Sequence, residues 1–461
     1  MTDGPAARNP RGRAFGRSRA GRSGNARILL GYIRAETKSR HRSGPAQPAP
    51  PEEHPVPKSP RTPATATTQT VAQVNQTVLL EVLRRHGSLS RQRLAAESGL
   101  STATVHRLVE VLRTAGLVVV EAERAPSSGG RPPQLIRYNA GAQTVLAVAV
   151  RPRRIVGVVA DLHGAVLHEA EHHWAAGLGP ERGREPSAED LTGPLLALVE
   201  GLRAWAARHA GAPRALVAGV PGVVRDRTGL VEFAPALDWP GLRLRTLLQE
   251  HLGIPVAVES NVDLVALAVQ HSEAAAGVGD LAAVVVGIEV GAGIVLGGRL
   301  HRGRLGSAGA LGYLMGDRRA LDRPLGRTGD TQARIGDHAV DRRIAEAGLT
   351  VSGTSAERVA ELFRLAREGV PAAVRLVEEF TDDLALLVAN LTSVLGPELV
   401  ALGGRLLWES GGEMLPAIES RLQGRVPVLP RLMMVHSTTT ELVGAAAAAV
   451  RLADGATFIT R

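Results

Sequence analysis

Ser90 and Arg91 open one apolar-striped segment of this chain, and Thr102, Ala103, His106 and Arg107 stand just inside the start of the next. Hydroxyls, an imidazole and guanidinium groups at such spacings can donate to phosphate oxygens and reach base edges of duplex DNA. Arg131 follows in Ser127-Ser128-Gly129-Gly130-Arg131-Pro132-Pro133, where the glycines let the backbone lie close to a partner. Plainer readings stand beside these: His106 as an ordinary surface histidine, Arg131 as a solvated loop charge. Other chemistry is excluded outright. With no cysteine there is no thiol nucleophile, disulfide scaffold, iron–sulfur cluster or cysteine-ligated zinc. No pair of clustered histidines takes its place, so neither a metal nor a cofactor is expected.

These residues need helices to present them. Val74, Val78, Leu79, Val82 and Leu83 form one stripe, predicting a helix to about His86 with Gly87 as its stop. A second helix starts at Ser90, a good N-cap, with Leu89 and Leu94 as a hydrophobic staple, and ends at Ser98–Gly99. A third starts at Ser101, stapled by Leu100 and Val105, with Val105, Leu108, Val109 and Leu112 turned inward. Two stapled helices joined by a tight glycine turn make a helix-turn-helix. Short strands at Leu117–Glu121 and Gln134–Tyr138 add a wing. The third helix then enters the major groove with Thr102, Ala103, His106 and Arg107 facing DNA, while Ser90 and Arg91 are placed for phosphates.

Charge is divided along the chain in the same sense. Residues 1–70 carry 13 Lys/Arg against 4 Asp/Glu, residues 71–140 carry 9 against 5, and the remainder is net acidic. A basic front end ahead of a mildly acidic body suits a nucleic-acid-binding arm on a separate body. Residues 1–70 are dominated by Gly, Ser, Arg, Pro and Thr, and are expected to be a disordered tail that cannot offset its ordering entropy. The longest apolar stretch, Leu281 to Gly298, is broken by Glu289 and glycines, so no membrane span is expected. Ile28–Leu30 is too short for a signal segment, and a cytoplasmic location follows.

From about Ala142 onward, strand-length apolar runs alternate with amphipathic segments. The strands are expected at Val145–Val150, Ile155–Asp161, Ala215–Val220, Ile254–Glu259, Leu281–Ile288, Ala292–Leu296, Leu399–Leu402 and Leu432–His436. Helices are expected at Leu191–His209, Leu242–His251, Ala356–Glu368, Val374–Ser393 and Leu442–Leu452. Hairpin-like strands followed by strand–helix alternation occur twice, the layout of a duplicated α/β fold with a cleft between two lobes.

Gly219-Val220-Pro221-Gly222-Val223-Val224, Trp239, Gly291-Ala292-Gly293-Ile294-Val295-Leu296-Gly297-Gly298-Arg299-Leu300 and Gly396-Pro397-Glu398-Leu399-Val400-Ala401-Leu402-Gly403-Gly404 together resemble the ROK family of bacterial sugar kinases and transcriptional repressors. The preceding winged helix is similar to that of its repressor branch, and the resemblance covers about residues 72–455. It implies an actin/hexokinase-like (ribonuclease H-like) body at 141–461, after a tail at 1–70 and a winged helix-turn-helix at 71–140.

Departures from the family's kinases bear on function. Alignment through Asp161 and Gly164 places Ala149 at the kinases' strand-end Asp, with Arg151, Pro152 and Arg153 at the Gly-Gly-Thr phosphate turn. The second phosphate turn reads Glu289-Val290-Gly291-Ala292-Gly293, which sets a carboxylate toward a triphosphate. The catalytic Asp and the Asn before it become Asn261 and Ser260, and an amide cannot take the sugar hydroxyl's proton. Asp263 is expected to point elsewhere. The Gly-Glu-x-Gly-His sugar and zinc motif is Gly309-Ala310-Leu311-Gly312-Tyr313, and the sugar-contacting Asn before the tryptophan is Ala236. Arg151 and Arg153 read either as exposed loop charges or as an anion site replacing ATP.

The resulting expectation is a DNA-binding transcriptional regulator, a repressor, with a catalytically inactive body and no enzyme activity. Its partners would be a double-stranded DNA operator and a small-molecule effector, a sugar, modified sugar or non-sugar. Assembly as a homodimer or dimer of dimers is expected, with alanine-rich Ala445–Ala449 and the Val374–Ser393 helix supplying apolar faces. The rivals are an active ATP-dependent sugar kinase with an accessory DNA-binding domain, and a constitutive DNA-binding protein whose body only oligomerises.

Overall fold

The computed structural model describes residues 68–455 apart from 123–133, 152–153, 174–187, 226–227, 235–236, 238–240, 323–325, 327 and 436–439. Of the tail expected at residues 1–70, residues 1–67 lie outside the described residues, as do Arg131, Pro152, Arg153, Ala236 and Trp239, while residues 68–70 are helical and not tail.

The DNA-binding part opens with helix α1 (Thr68–His86), which begins six residues before the stripe starting at Val74. Next come β1 (Leu89–Ser90), α2 (Arg91–Ser98) and α3 (Thr102–Thr114), then the wing strands β2 (Val118–Ala122) and β3 (Gln134–Tyr138). Local chemistry sets the helix ends. The Ser90 hydroxyl accepts from the Arg93 amide at 3.3 Å, and the Ser101 hydroxyl from the Thr104 amide at 3.2 Å. Gly99 closes α2 at φ 68°, a left-handed conformation that costs a glycine little. Leu79, Leu83, Leu94, Val105, Leu108, Val109, Leu112 and Ile136 are buried together, each contributing roughly 1.5–3 kcal/mol. The sequence reading lacked β1, a two-residue strand that pairs Leu89 with Ile136 and closes a three-stranded sheet.

The first lobe runs β4 (Thr144–Val150), β5 (Arg154–Asp161), β6 (Val166–His173), α4 (Ala188–His209), β7 (Pro213–Val220), the hairpin β8 (Val223–Arg225) and β9 (Leu230–Phe233), α5 (Leu244–Leu252) and β10 (Val256–Ser260). Its sheet order is β10-β7-β4-β5-β6. Helix α6 (Asn261–Gln270) leads to the second lobe: β11 (Leu281–Val286), β12 (Val290–Leu296), β13 (Arg299–Leu300), α7 (Gln332–Ile335), α8 (Asp337–Glu346), α9 (Ser355–Arg367), α10 (Pro371–Leu395), β14 (Leu399–Gly404), α11 (Arg405–Glu409), α12 (Met414–Leu422) and β15 (Arg431–Met434). Its order is β13-β12-β11-β14-β15. In both sheets the first strand pairs antiparallel with the second and parallel with the fourth, so the two lobes repeat one topology.

Helix α13 (Thr440–Ala453) returns the chain to the first lobe, where it packs on α6, β4 and β7. Glycine makes this packing close. A Cβ on Gly444 would lie 1.9 Å from the Leu264 carbonyl oxygen, and one on Gly293 would lie 2.3 Å from that of Val262. Ala445, Ala446, Ala448 and Ala449 are completely buried. The alanine run, expected to offer a face for pairing, is interior, because its small side chains are what lets α13 approach α6. The winged helix joins the same apolar core: Leu79, Leu83, Ile136 and Tyr138 belong to one cluster with Val145, Leu264, Ala445 and Ala449.

Candidate functional site

Two places bring chemistry-bearing side chains together, the exposed face of α3 and the cleft between the lobes. On α3, Thr102, Ala103, His106 and Arg107 are all exposed, while Val105, Leu108, Val109 and Leu112 hold the helix to its domain. One helical face thus carries all four expected groove residues, as the 3.6-residue period requires. Ser90 is spent as the α2 cap. Arg91, expected free for phosphate, has protein partners: its Nη1 donates to Gln134 Oε1 at 2.7 Å and its Nη2 to Glu110 Oε1 at 3.2 Å. This guanidinium ties α2 to the wing strand and to α3. Sequence could not signal it, since Gln134 is 43 residues away.

The cleft encloses a cavity of about 770 Å³. Four segments converge on it: the Pro221–Gly222 turn, the first turn of α6, the Gly287–Glu289 hairpin and the stretch from Leu305 to Tyr313. Most of its wall is apolar, including Val223, Val262, Ile288, Val290 and Trp408. Asn261 lies in this wall, at the position expected to have lost the catalytic base. Its Nδ2 donates to the Val150 carbonyl at 2.9 Å, which leaves Oδ1 buried without a hydrogen-bond partner. The amide orientation follows from that bond, because the flipped form would set oxygen against oxygen. Gly219 makes room for it: a Cβ there would meet Asn261 Oδ1 at 2.4 Å.

Asp263 corrects the expectation that it points elsewhere. Helix α6 starts at Asn261 with its end on the cleft, so both side chains of its first turn reach the cavity. Asp263 is 6% exposed, and no hydrogen bond reaches its carboxyl group among the described residues. Burial, reinforced by the neighbouring Glu259 charge and opposed by Arg302, pushes its pKa up to about 8. At neutral pH it therefore carries its proton. Glu259 itself is held by Arg302 in a buried two-pronged pair, with both N···O distances 2.9 Å.

Arg151 is also corrected, since it is no exposed loop charge. It lines the cavity and pairs with Glu441, in the first turn of α13, at 2.5 Å. Glu289 and Tyr313 line the cavity too, and burial together with the Glu289 charge raises the Tyr313 phenol. Among the described residues no group of three His, Asp or Glu side chains is placed to hold a metal ion, and no helix is long and apolar enough to cross a membrane.

At its far end α13 meets the winged helix. Arg84 of α1 pairs with Asp454 at 2.7 Å and lies 4.4 Å over the Tyr138 ring. Burial drives the Tyr138 phenol up to about 12 and also raises Asp454, against the pull of Arg84. Arg451 sits beside them, its Nε and Nη2 buried without hydrogen-bond partners.

The sequence model of the ROK family matches residues 153–451, and that of the MarR family matches residues 73–127. A xylose repressor of Caldicellulosiruptor bescii is 26% identical over 341 residues, 72% of this chain and 83% of its own. Among solved structures, a ROK family transcriptional regulator described as a homologue of the Escherichia coli MLC protein aligns with a TM-score of 0.72 at 22% identity, covering 84% of this chain and 98% of the other. A ROK family glucokinase from Streptomyces griseus aligns at 0.52 and 22% identity, covering 66% of this chain and 99% of its own. The two-lobed body thus shares the fold of sugar kinases, and the likeness to the regulator extends across the winged helix as well.

Proposed function

The chain belongs to the ROK family, and from that premise we propose that it is a transcriptional repressor whose winged helix reads an operator under control of a ligand held between the body's lobes. One observation carries the reading: α13 runs from the cavity, where Glu441 pairs with Arg151, to the winged helix, where Asp454 pairs with Arg84. At 1.5 Å per residue the helix is about 20 Å long, a rigid element with one end in each site. The xylose repressor among its relatives supports the sign of regulation. In this reading Thr102, Ala103, His106 and Arg107 contact bases, Arg131 contacts the backbone from the wing, and Ser90 and Arg91 hold the helices at the phosphates.

The body does no phosphoryl transfer in this proposal. Asn261 has no basicity to offer a sugar hydroxyl, Asp263 holds its proton at neutral pH, and Glu289 places negative charge in the cleft. A homodimer or dimer of dimers would set two recognition helices on successive turns of one DNA face, because one half-site gives limited specificity against a genome. Genome-wide footprinting with the full chain tests the proposal. Protected inverted repeats support it, and their absence, or sugar phosphorylation in a coupled assay at about 1 s⁻¹ or faster, refutes it.

A further inference from the structure

We infer that the ligand of the cleft is an uncharged molecule with an apolar body and an oxygen acceptor, which takes a hydrogen bond from the Asp263 carboxyl group. This inference rests on the cleft being the ligand site of the proposed repressor. The carboxyl and guanidinium groups on the cavity wall belong to Arg151, Glu232, Asp263, Glu289, Asp337 and Glu441. All but Asp263 are engaged within the protein. Arg151 pairs with Glu441, Glu232 with Arg225, and Asp337 with Arg405, while Glu289 has a partner as well. A ligand head of either charge would therefore be buried without a counter-ion, or would have to pull one partner out of a pair. Both are costly in a site poor in water. An uncharged ligand meets neither cost.

Asp263 supplies the polar anchor. Its carboxyl is almost wholly buried on the cavity wall, and no hydrogen bond reaches it among the described residues. Two charged groups bear on it, Glu259 of β10 and Arg302 beyond β13, and these hold each other with both N···O distances 2.9 Å. Of the other elements packed on α6, β11 and β12 carry no charged residue, and α13 brings to the cavity Glu441, which Arg151 holds. Burial and the Glu259 charge thus keep the proton on Asp263 at neutral pH. A protonated carboxyl group is a hydrogen-bond donor, and native proteins leave few buried polar groups unmatched. A carbonyl or ether oxygen accepts that bond without bringing a charge.

The rest of the wall sets the body. Val223, Val262, Ile288, Val290 and Trp408 make most of it apolar, which suits a hydrocarbon chain or aromatic ring. A polyol would set hydroxyls against these side chains and lose their hydration without return. The cavity of about 770 Å³ has room for two rings.

The test uses the full-length protein and four probes with one body: benzophenone, diphenylmethane, diphenylmethylamine and diphenylacetate. Equilibrium dialysis at pH 6 should show the ketone binding at least about tenfold more tightly than the amine or the carboxylate, and about threefold or more over the hydrocarbon. The acid form of Asp263 makes the bond, so ketone affinity is full below about 8, where that group titrates, and falls about tenfold by pH 9. Asp263→Asn keeps an N–H donor, so it should keep the ketone preference and lose the pH dependence. Asp263→Leu has no donor and should bring ketone and hydrocarbon within about twofold. The inference is overturned if benzophenone does not bind, or if the amine, the carboxylate or glucose binds as tightly. It is equally overturned if Asp263→Asn retains the pH dependence or Asp263→Leu retains the ketone preference. Operator binding measured in parallel keeps the two claims apart: a protein that binds its operator but rejects the ketone sinks this inference alone.

Discussion

Arg84→Met removes the cation that faces Asp454 across the junction between winged helix and body. The Asp454 side chain is 1% exposed, and burial already raises its pKa in spite of Arg84. Breaking a buried pair from one side costs about 3–5 kcal/mol when the remaining charge has no escape. Asp454 has one, which is protonation. From an ordinary carboxyl value near 3.9, holding a proton at pH 7 costs about three pH units at 1.36 kcal/mol each, so the penalty is capped near 4 kcal/mol. The intact protein already bears part of this, so the expected loss is about 2–4 kcal/mol. A group whose folded pKa is raised is easiest to accommodate at low pH, and stability falls as pH rises through the folded pKa. The cap at pH 5 is accordingly about 1.5 kcal/mol, and the variant should recover most of its loss there. Arg84→Met with Asp454→Asn should lie within about 1 kcal/mol of wild type, since neither partner of the pair is left buried and charged. Urea denaturation from pH 5 to pH 8, with hydrogen exchange on α1 and α13, measures each case. The reasoning is refuted if the single variant is no less stable than the double, or if its loss does not change with pH.

Other outcomes follow from the same geometry. His106→Ala or Arg107→Ala should cost about 1–3 kcal/mol in operator affinity and relax preference at one base pair, as read by competition binding; unchanged affinity in both would mean that α3 does not enter the groove. Arg91→Ala should lower the melting temperature of the winged helix, because Gln134 and Glu110 lose their shared partner, and an unchanged melt speaks against that clamp. For Asp263, raised from its ordinary value to about 8, wild-type stability is greatest below about pH 4 and is lost toward pH 8 at up to about 1.4 kcal/mol per pH unit; Asp263→Asn should flatten that slope, and parallel slopes in melting curves would contradict the assignment. Gly444→Val should destabilise the body by several kcal/mol (about 4 or more), since any Cβ there meets the Leu264 carbonyl; a near-neutral melt would show that α13 can shift freely.

The parts of the fold written in local chemistry were legible before the structure. Ser90, Gly99 and Ser101 mark both ends of α2 and the start of α3 to the residue, because a cap is a contact within three or four positions. The two lobes were legible as a repeated pattern, since a buried strand advertises itself by its apolar run. Helix α6 was not, because Leu264 through Val269 are all buried and a helix apolar on every side shows no amphipathic period. That omission hid part of the cavity wall as well: without a helix beginning at Asn261 there was no reason to turn Asp263 into the cleft. Strand β6 escaped for the opposite reason. It has no buried face, and its polar alternation reads as loop. Arg151 looked like a solvated charge because its partner, Glu441, lies 290 residues further on.

The same close packing that hid α6 decides how the two sites can communicate. Gly444 and the buried alanines leave α13 no slack against α6, and packed interiors respond to strain by switching between arrangements more readily than by bending. The first turn of α6 places Asp263 and Asn261 on the cavity wall, so the occupant proposed for the cleft would act on the helix against which α13 is locked. Arg151 and Glu441 place a second contact at the start of α13 in the same cavity. At the other end a purely apolar junction would tolerate small slides, since dispersion contacts are non-directional. The Arg84–Asp454 pair does not, because a buried ion pair loses most of its compensation once its geometry is disturbed. A rod with no slack, ending on a contact that tolerates no slide, would pass on a displacement made at the cavity, as the proposed control of the winged helix by a ligand requires. Such coupling is bounded by the ligand's differential affinity for the two arrangements of the body.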